Sequence, residues 1–192
     1  MYKKYIFPLN IFIVFEKLNT NIWTSKLVKP NNFFMVIDNN WFYLLNIFFK
    51  HELFFNNSIL IESSAIDSLK FNQINENLEL FFKKNRIIIF YSYYFYTLKL
   101  KLNVILLYNF LKKTKINSID KLYKNANWLE RESSEMFGIN YTNKKDIRKL
   151  LLDYTKIENP LLKDFPAEGY SEAFYDFFED QVVFLNNDSI EL

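Results

Sequence analysis

From Arg86 to Asn109 the chain runs almost without interruption through Ile, Tyr, Phe, Leu and Val. β-branched and aromatic residues at this density favour a pleated, half-buried backbone. The run outlasts a typical strand of about 5–6 residues, so it predicts two strands rather than one. Its second half alternates, with Lys99, Lys101 and Asn103 on one face and Leu98, Leu100, Leu102 and Val104 on the other. That is the period-two signature of a strand with one side on a core. The Tyr hydroxyls allow aromatic bulk to sit at a wet edge. A chain built around this pair must cover it with other elements.

Upstream, residues 32–37 read as a strand, followed by turn and cap chemistry at Asp38, Asn39 and Asn40. From Trp41 to Lys50, apolar residues at 41, 44, 45, 48 and 49 form a helical stripe facing the core. Ser58 to Glu62 reads as a short strand, Ser63 to Asp67 as a turn, and the polar stretch Asn72 to Asn85 as a connection. After Thr155 the pattern lapses between Pro160, Pro166 and Gly169. Glu172–Phe178 and Val182–Leu185 flank Glu179-Asp180-Gln181 as a hairpin. The fold class expected is α+β: a single domain with a mixed β-sheet packed by helices, over residues 1–154. An extended C-terminal tail, 155–192, is too poorly patterned to fold alone.

Composition excludes several kinds of chemistry. The 192 residues contain no Cys, one His and two Gly. Without Cys there are no disulfides, no thiolate nucleophile and no Cys-ligated zinc or iron–sulfur cluster. His51 alone cannot build a multi-histidine metal site, and neither Gly lies in a phosphate-cradling loop. No cofactor is expected. A net charge of +2 is too small to imply nucleic acid. The apolar run Tyr5–Phe15 is too short to span a bilayer, and Lys99 and Lys101 interrupt the longer one. No small-residue cleavage site follows Lys3 and Lys4, so a signal peptide is not expected. A soluble chain is the expectation. The abundance of Phe, Tyr, Asn, Lys and Ile matches codons rich in A and T, as in many organelle genomes.

The most distinctive local segment is Asn127 to Gly138. Asn127 is placed to cap a helix, with Glu130 three residues later as in a capping box. Gly138 is placed to end it in the left-handed conformation. Leu129, Met136 and Phe137 mark an apolar face; Glu130, Arg131, Ser134 and Glu135 mark the other, where Arg131 and Glu135 are four apart and can pair. Clustered carboxylates can do acid–base work when their environments split their pKa values. With no nucleophile or metal set beside them, a solvated or interface helix face is the better reading. Lys144, Lys145, Arg148 and Lys149 form a basic cluster that, beside so many aromatics, is compatible with single-stranded nucleic acid or with an ordinary surface.

Taken together, Trp128-Leu-Glu-Arg-Glu132 and Glu135-Met-Phe-Gly-Ile139 resemble a family block W-x-E-R-E-x-x-D-M-F-G-I. Asp146-Ile-Arg148 and Leu151-Leu-Asp-Tyr154 are similar to its D-L-R-R-I-L-x-D-Y segment. Pro160-Leu-Leu-Lys-Asp-Phe-Pro166 and Gly169-Tyr170 are similar to its H-P-L-R-K-D-F-P and G-Y. The family is subunit 9 of respiratory NADH dehydrogenase, the small hydrophilic subunit of complex I. The resemblance is specific over about residues 125–170 and is one of pattern only before that. Glu135 stands where Asp is usual, Leu162 where Arg is usual and Asn159 where His is usual. Residues 142–145 lack the usual G-H-P.

The resemblance implies a non-redox structural subunit of the peripheral arm. Such a subunit supports electron transfer from NADH to ubiquinone by holding the quinone-reducing module together. It implies a hetero-oligomer, with the large quinone-site subunit as the main partner and the tail wrapping it. It also implies a location on the matrix side of the mitochondrial inner membrane. The interface residues it suggests are Trp128, Glu130, Arg131, Glu132, Glu135, Phe137, Asp146, Arg148, Asp153, Lys163, Asp164, Phe165 and Pro166. Trp128 and Phe137 are expected to anchor the helix to the domain. The alternative is an organellar nucleic-acid-binding or ribosomal protein, drawn from the basic cluster; a scaffold of membrane-bound hydrogenases is a third reading.

Overall fold

A computed structural model describes residues 32–53, 55, 57–69, 86–109, 114–154 and 158–187. The run Tyr5–Phe15 and the connection Asn72–Asn85 lie outside the described residues. The chain order is β1 (Asn32–Val36), α1 (Asn39–His51), β2 (Ser58–Asp67), β3 (Ile87–Phe95) and β4 (Leu100–Tyr108). It continues through β5 (Ile116–Asn117), α2 (Ala126–Phe137), β6 (Tyr141–Thr142), β7 (Ser171–Asp176) and β8 (Gln181–Asn186).

The apolar run does make two strands, and they lie at the centre of a sheet ordered β1-β4-β3-β2. The β3–β4 and β2–β3 pairs are antiparallel and the β1–β4 pair is parallel, so the sheet is mixed and the domain is α+β. Every second residue of β3, from Ile87 through Ile89, Tyr91 and Tyr93 to Phe95, is fully buried. Helix α1 supplies Phe42, Leu45 and Phe49 to the same core. The Phe49 ring meets Tyr93 and Phe95 edge-on, with centroids 5.4 and 5.1 Å apart. Such edge-to-face pairs add about 0.5–1.5 kcal/mol beyond their burial.

Four local expectations change. The buried row of α1 is Phe42, Leu45, Asn46 and Phe49, while Trp41 and Leu44 are 40% and 50% exposed. A polar residue occupies the inner row and hides it from an apolar count. Asn46 is tolerated there because its side-chain amide donates to the Phe42 carbonyl at 2.8 Å and its oxygen accepts from the Tyr93 hydroxyl at 2.6 Å. Tyr91 and Tyr93 are therefore core residues, not edge residues; Tyr96, 57% exposed, lies at the rim.

Second, Ser63–Asp67 is not a turn. β2 continues to Asp67, with a register shift between Leu60 and Glu62. That extra residue switches the inward positions from Ser58 and Leu60 to Ser63, Ala65 and Asp67. Pairing along the whole of β3 overrides the turn propensity of the two serines. Third, Thr97–Lys99 belongs to the turn between β3 and β4, with Lys99 in the left-handed region at φ +49°. From Leu100 onward the expected alternation holds, burying Leu102, Val104 and Leu106.

Fourth, α2 begins at Ala126 rather than after Asn127, and no side chain caps it. Tight turns running from Ile119 through Tyr123 feed directly into the helix, so its first amides already have carbonyl partners. Asn125 instead donates to the Leu60 carbonyl at 2.6 Å, tying the helix to β2. Gly138 ends the helix at φ +70°, as expected. A Cβ there would meet the Asn159 side chain at 3.1–3.3 Å, so the returning tail packs onto the glycine as well. The tail carries the expected hairpin, β7 against β8, but its turn is 177–180, with Asp180 left-handed, rather than Glu179–Gln181. Among the described residues no helix is long and apolar enough to cross a membrane.

Candidate subunit interface and its buried charges

Helix α2 keeps Phe137 in the core with Leu129 and Met136 against it, and buries charges expected on its outer face as well. Glu130, Arg131 and Glu135 point inward and are buried, whereas Trp128 is 66% exposed and Glu132 is also exposed. A charge can be buried only with partners, and each of the three has them. Glu130 accepts from the Ser118 hydroxyl at 2.5 Å, the Ile119 amide at 2.9 Å and the Lys144 ammonium at 3.0 Å. Burial pushes its carboxyl up, and the three donors oppose this without cancelling it.

Arg131 is spent on the loop that follows β6. Its Nε donates to the Arg148 carbonyl at 2.7 Å, and its terminal nitrogens reach the Lys149 carbonyl and the Asp146 carboxylate, both at 3.3 Å. Arg148 also binds Asp146, at 2.9–3.0 Å. The Arg148 bonds, then Arg131, hold the Asp146 carboxyl well below the usual range. Glu135 closes the same loop from the other end, accepting from the amides of Leu150, Leu151 and Leu152. Burial raises its pKa, but these three amides outweigh that and hold it low. Arg131 and Glu135 thus grip one loop side by side rather than each other.

Two expectations are corrected by this geometry. The charged face of α2 is not a solvated face, because the loops at 118–119 and 144–152 fold over it. The basic cluster is a free cationic surface only in part: Lys145 is exposed, while its other three members have partners. Lys144 is buried on Glu130, Arg148 is engaged by Asp146, and the Lys149 ammonium donates to the Asp153 carbonyl at 2.7 Å. Beside exposed Lys145, Arg148 and Asp153, this segment leaves large apolar side chains outside: Trp128, Ile147, Leu151 and Tyr154 are all exposed, with the Arg131 guanidinium 6.0 Å from the Trp128 ring. The expected anchoring role of Trp128 is therefore wrong; Phe137, only 5% exposed, does face the core.

A second constellation is not foreseen from the sequence. Asp67, at the end of β2, accepts from Arg86 in two places (2.8 and 3.2 Å), from the Leu69 amide and from the Lys163 amide at 2.9 Å. Arg86 also reaches Asp164, at 2.6 and 3.1 Å. Lys163 thus contributes its backbone rather than its ammonium, and Asp164 pairs within the chain. Burial works against the ionised Asp67, but Arg86 and the two amides prevail and hold its carboxyl low. Asp153 is exposed, and Phe165 and Pro166 are half-buried, with Phe165 edge-on to Tyr170. The signal available was a charged residue at the end of β2 and another just before the apolar run of β3; the partners, 19 and 78 residues apart in sequence, were not readable. Among the described residues no three His, Cys, Asp or Glu side chains gather as a metal site.

Known proteins share this sequence and this fold. The family profile "Respiratory-chain NADH dehydrogenase, 30 Kd subunit" matches residues 34–171. A NADH-ubiquinone oxidoreductase subunit 9 of Paramecium primaurelia is 39% identical over 97% of this chain and 87% of its own. A protein of Patellifolia webbiana named NADH dehydrogenase [ubiquinone] iron-sulfur protein 3 is 46% identical over 70 residues, 36% of this chain and 36% of that one. Among solved structures, a trypsin-resistant fragment of Nqo5 superposes with TM-score 0.55 at 18% identity, over 72% of this chain and 97% of the fragment. A chain of an archaeal membrane-bound sulfane sulfur reductase superposes with TM-score 0.61 at 15% identity, over 83% of this chain and 85% of its own. At those identities the two structures speak for the fold alone.

Proposed function

The chain belongs to the family of the 30 Kd subunit of respiratory-chain NADH dehydrogenase, and from that premise we propose that it is a non-redox structural subunit of the peripheral arm of complex I. One observation carries the structural reading. The signature charges Glu130, Arg131 and Glu135 are consumed inside the chain as braces between α2 and its loops. No carboxylate of that set is left in an open cleft to exchange protons with a substrate. The braces instead stiffen a surface that presents Trp128, Ile147, Leu151 and Tyr154 outward.

Iron–sulfur chemistry fits this chain poorly. The plant relative carries "iron-sulfur protein" in its name, yet these 192 residues hold no Cys to ligate a cluster. Electron transfer then runs through other subunits, and this one holds the quinone-reducing module together. The large quinone-site subunit is the proposed main partner, on the matrix side of the mitochondrial inner membrane. The members of the suggested interface divide by exposure. Trp128, Glu132, Arg148, Asp153 and Lys163 are exposed, while Glu130, Glu135 and Phe137 are buried beneath the surface. Paired charges at such a surface fix register more than affinity. The nucleic-acid alternative loses most of its support, since Lys144, Arg148 and Lys149 are already paired with acids and carbonyls and Lys145 alone of the cluster is left.

The test is a native gel of the source membranes, probed with an antibody to this chain and stained for NADH oxidation. Migration with the large NADH-oxidising band is the expected result. Migration with ribosomal particles, or alone, overturns the assignment.

A further inference from the structure

The chain's charge is sharply divided. After Lys163 there are eight Asp and Glu and no Lys or Arg, which leaves the first 163 residues at +10 in a chain of net +2. The hairpin itself holds Glu172, Asp176, Glu179 and Asp180 and no basic residue. Acidic runs often keep a segment solvated, but this one is also strongly apolar. Register puts Phe174, Val183 and Leu185 on one face of the hairpin, and Tyr175, Val182 and Phe184 on the other. All but half-buried Val183 are exposed, and the tip carries Phe177 and Phe178, the latter 101% exposed.

A two-stranded hairpin alone is marginally stable in water. Apolar exposure on this scale marks an interaction site. The hairpin is nevertheless aimed. The Asp67–Arg86–Asp164 clamp fixes the irregular segment leading to it, and Asn187 closes its base by donating to the Glu168, Gly169 and Tyr170 carbonyls.

We propose that β7–β8 is an acidic, aromatic docking finger that enters a basic-rimmed apolar cleft on a neighbouring subunit, with both of its faces covered. Charge complementarity selects the partner: an anionic lipid surface would repel four carboxylates, and a neutral groove would leave them desolvated without a counter-charge. The partner's identity as a complex I subunit rests on the reading above; its chemistry does not.

Photo-crosslinking from p-benzoylphenylalanine at position 178, in the full chain within source membranes, tests this. The expected adduct is a Lys- and Arg-containing apolar peptide of another protein. An adduct with this chain's own body, with an acidic peptide or with lipid overturns the proposal. So does the absence of any adduct from a chain that still migrates in the NADH-oxidising band, a result that leaves the complex I assignment standing. A basic-peptide adduct from a protein outside that band supports the finger and refutes the complex I assignment. As a second readout, the Glu172→Gln/Glu179→Gln/Asp180→Asn variant is expected to be captured by chain-depleted membranes about tenfold more slowly at low ionic strength, because steering is lost. The gap should close near 1 M salt, where the Debye length is about 3 Å. Equal capture rates at low salt overturn the proposal.

Discussion

At the scale of single residues, Glu130 and Trp128 exchange the roles that their chemistry suggests. Glu130 is fully buried, and its neighbour Lys144 nearly so, at 3.0 Å. Removing one member of such a pair strands the other, at a cost of roughly 3–5 kcal/mol. Glu130→Ala should lower the unfolding free energy by about that amount. The apolar double replacement Glu130→Leu/Lys144→Met should recover most of the loss, because it leaves no orphaned charge. Urea titration of the three proteins decides it; a double variant as unstable as the single one would show that the pair's charge is not the issue. Trp128 touches Arg131 from outside and is mostly in water. Trp128→Ala should therefore leave thermal unfolding within about 0.5 kcal/mol of the parent while weakening retention in the assembly. A melting temperature lowered as for a core residue would return Trp128 to the fold.

At the scale of elements, two clamps bind irregular chain to regular structure. Arg131 and Glu135 hold residues 146–152 against α2. Asp67 and Arg86 hold residues 163–164 against the ends of β2 and β3. The halves of the second clamp differ in depth: the Asp67 side chain is fully buried, while Asp164 is 57% exposed. Charged hydrogen bonds of the first kind contribute about 1.5–3 kcal/mol; exposed ion pairs contribute about 0–1 kcal/mol. Arg86→Ala should thus destabilise the domain and raise hydrogen exchange across 158–165, whereas Asp164→Asn should do little to stability. Equal effects from the two variants would mean that the strap is held by other contacts.

At the scale of the whole molecule, these carboxylates set the response to acid. Asp67, Glu135 and Asp146 have lowered folded-state pKa values. Their stabilisation is present above the ordinary carboxylate range and is lost as pH falls through the lower folded values. Glu130 is raised, so its contribution has the opposite sign: it favours the fold at low pH and is lost as pH rises through the raised value. With these three and Asp164, which its hydrogen bond from Arg86 also holds low, against one raised group, stability should fall as pH drops below about 4, releasing the strap and the 146–152 loop. Asp67→Asn should flatten that limb in urea midpoints measured from pH 7 to pH 3. An unchanged slope would remove Asp67 from the account.

What could be read from the sequence was whatever short-range periodicity encodes. The paired strands at 86–109, the helix beginning near Asp38, the left-handed Gly138 and the terminal hairpin all rest on contacts within a few residues. The family block was likewise legible as a linear pattern. The inner face of α1, the continuation of β2 through Ser63 and Ser64, and the burial of Glu130, Arg131 and Glu135 were not. Each depends on a partner far along the chain: Tyr93 for Asn46, β3 for β2, and Ser118, Lys144 and residues 146–152 for the α2 charges. A charged side chain reads as solvent-facing until its counter-charges are brought to it, and only tertiary structure brings them. The same limit concealed Asp67 and Arg86, whose meeting with Lys163 and Asp164 aims the tail.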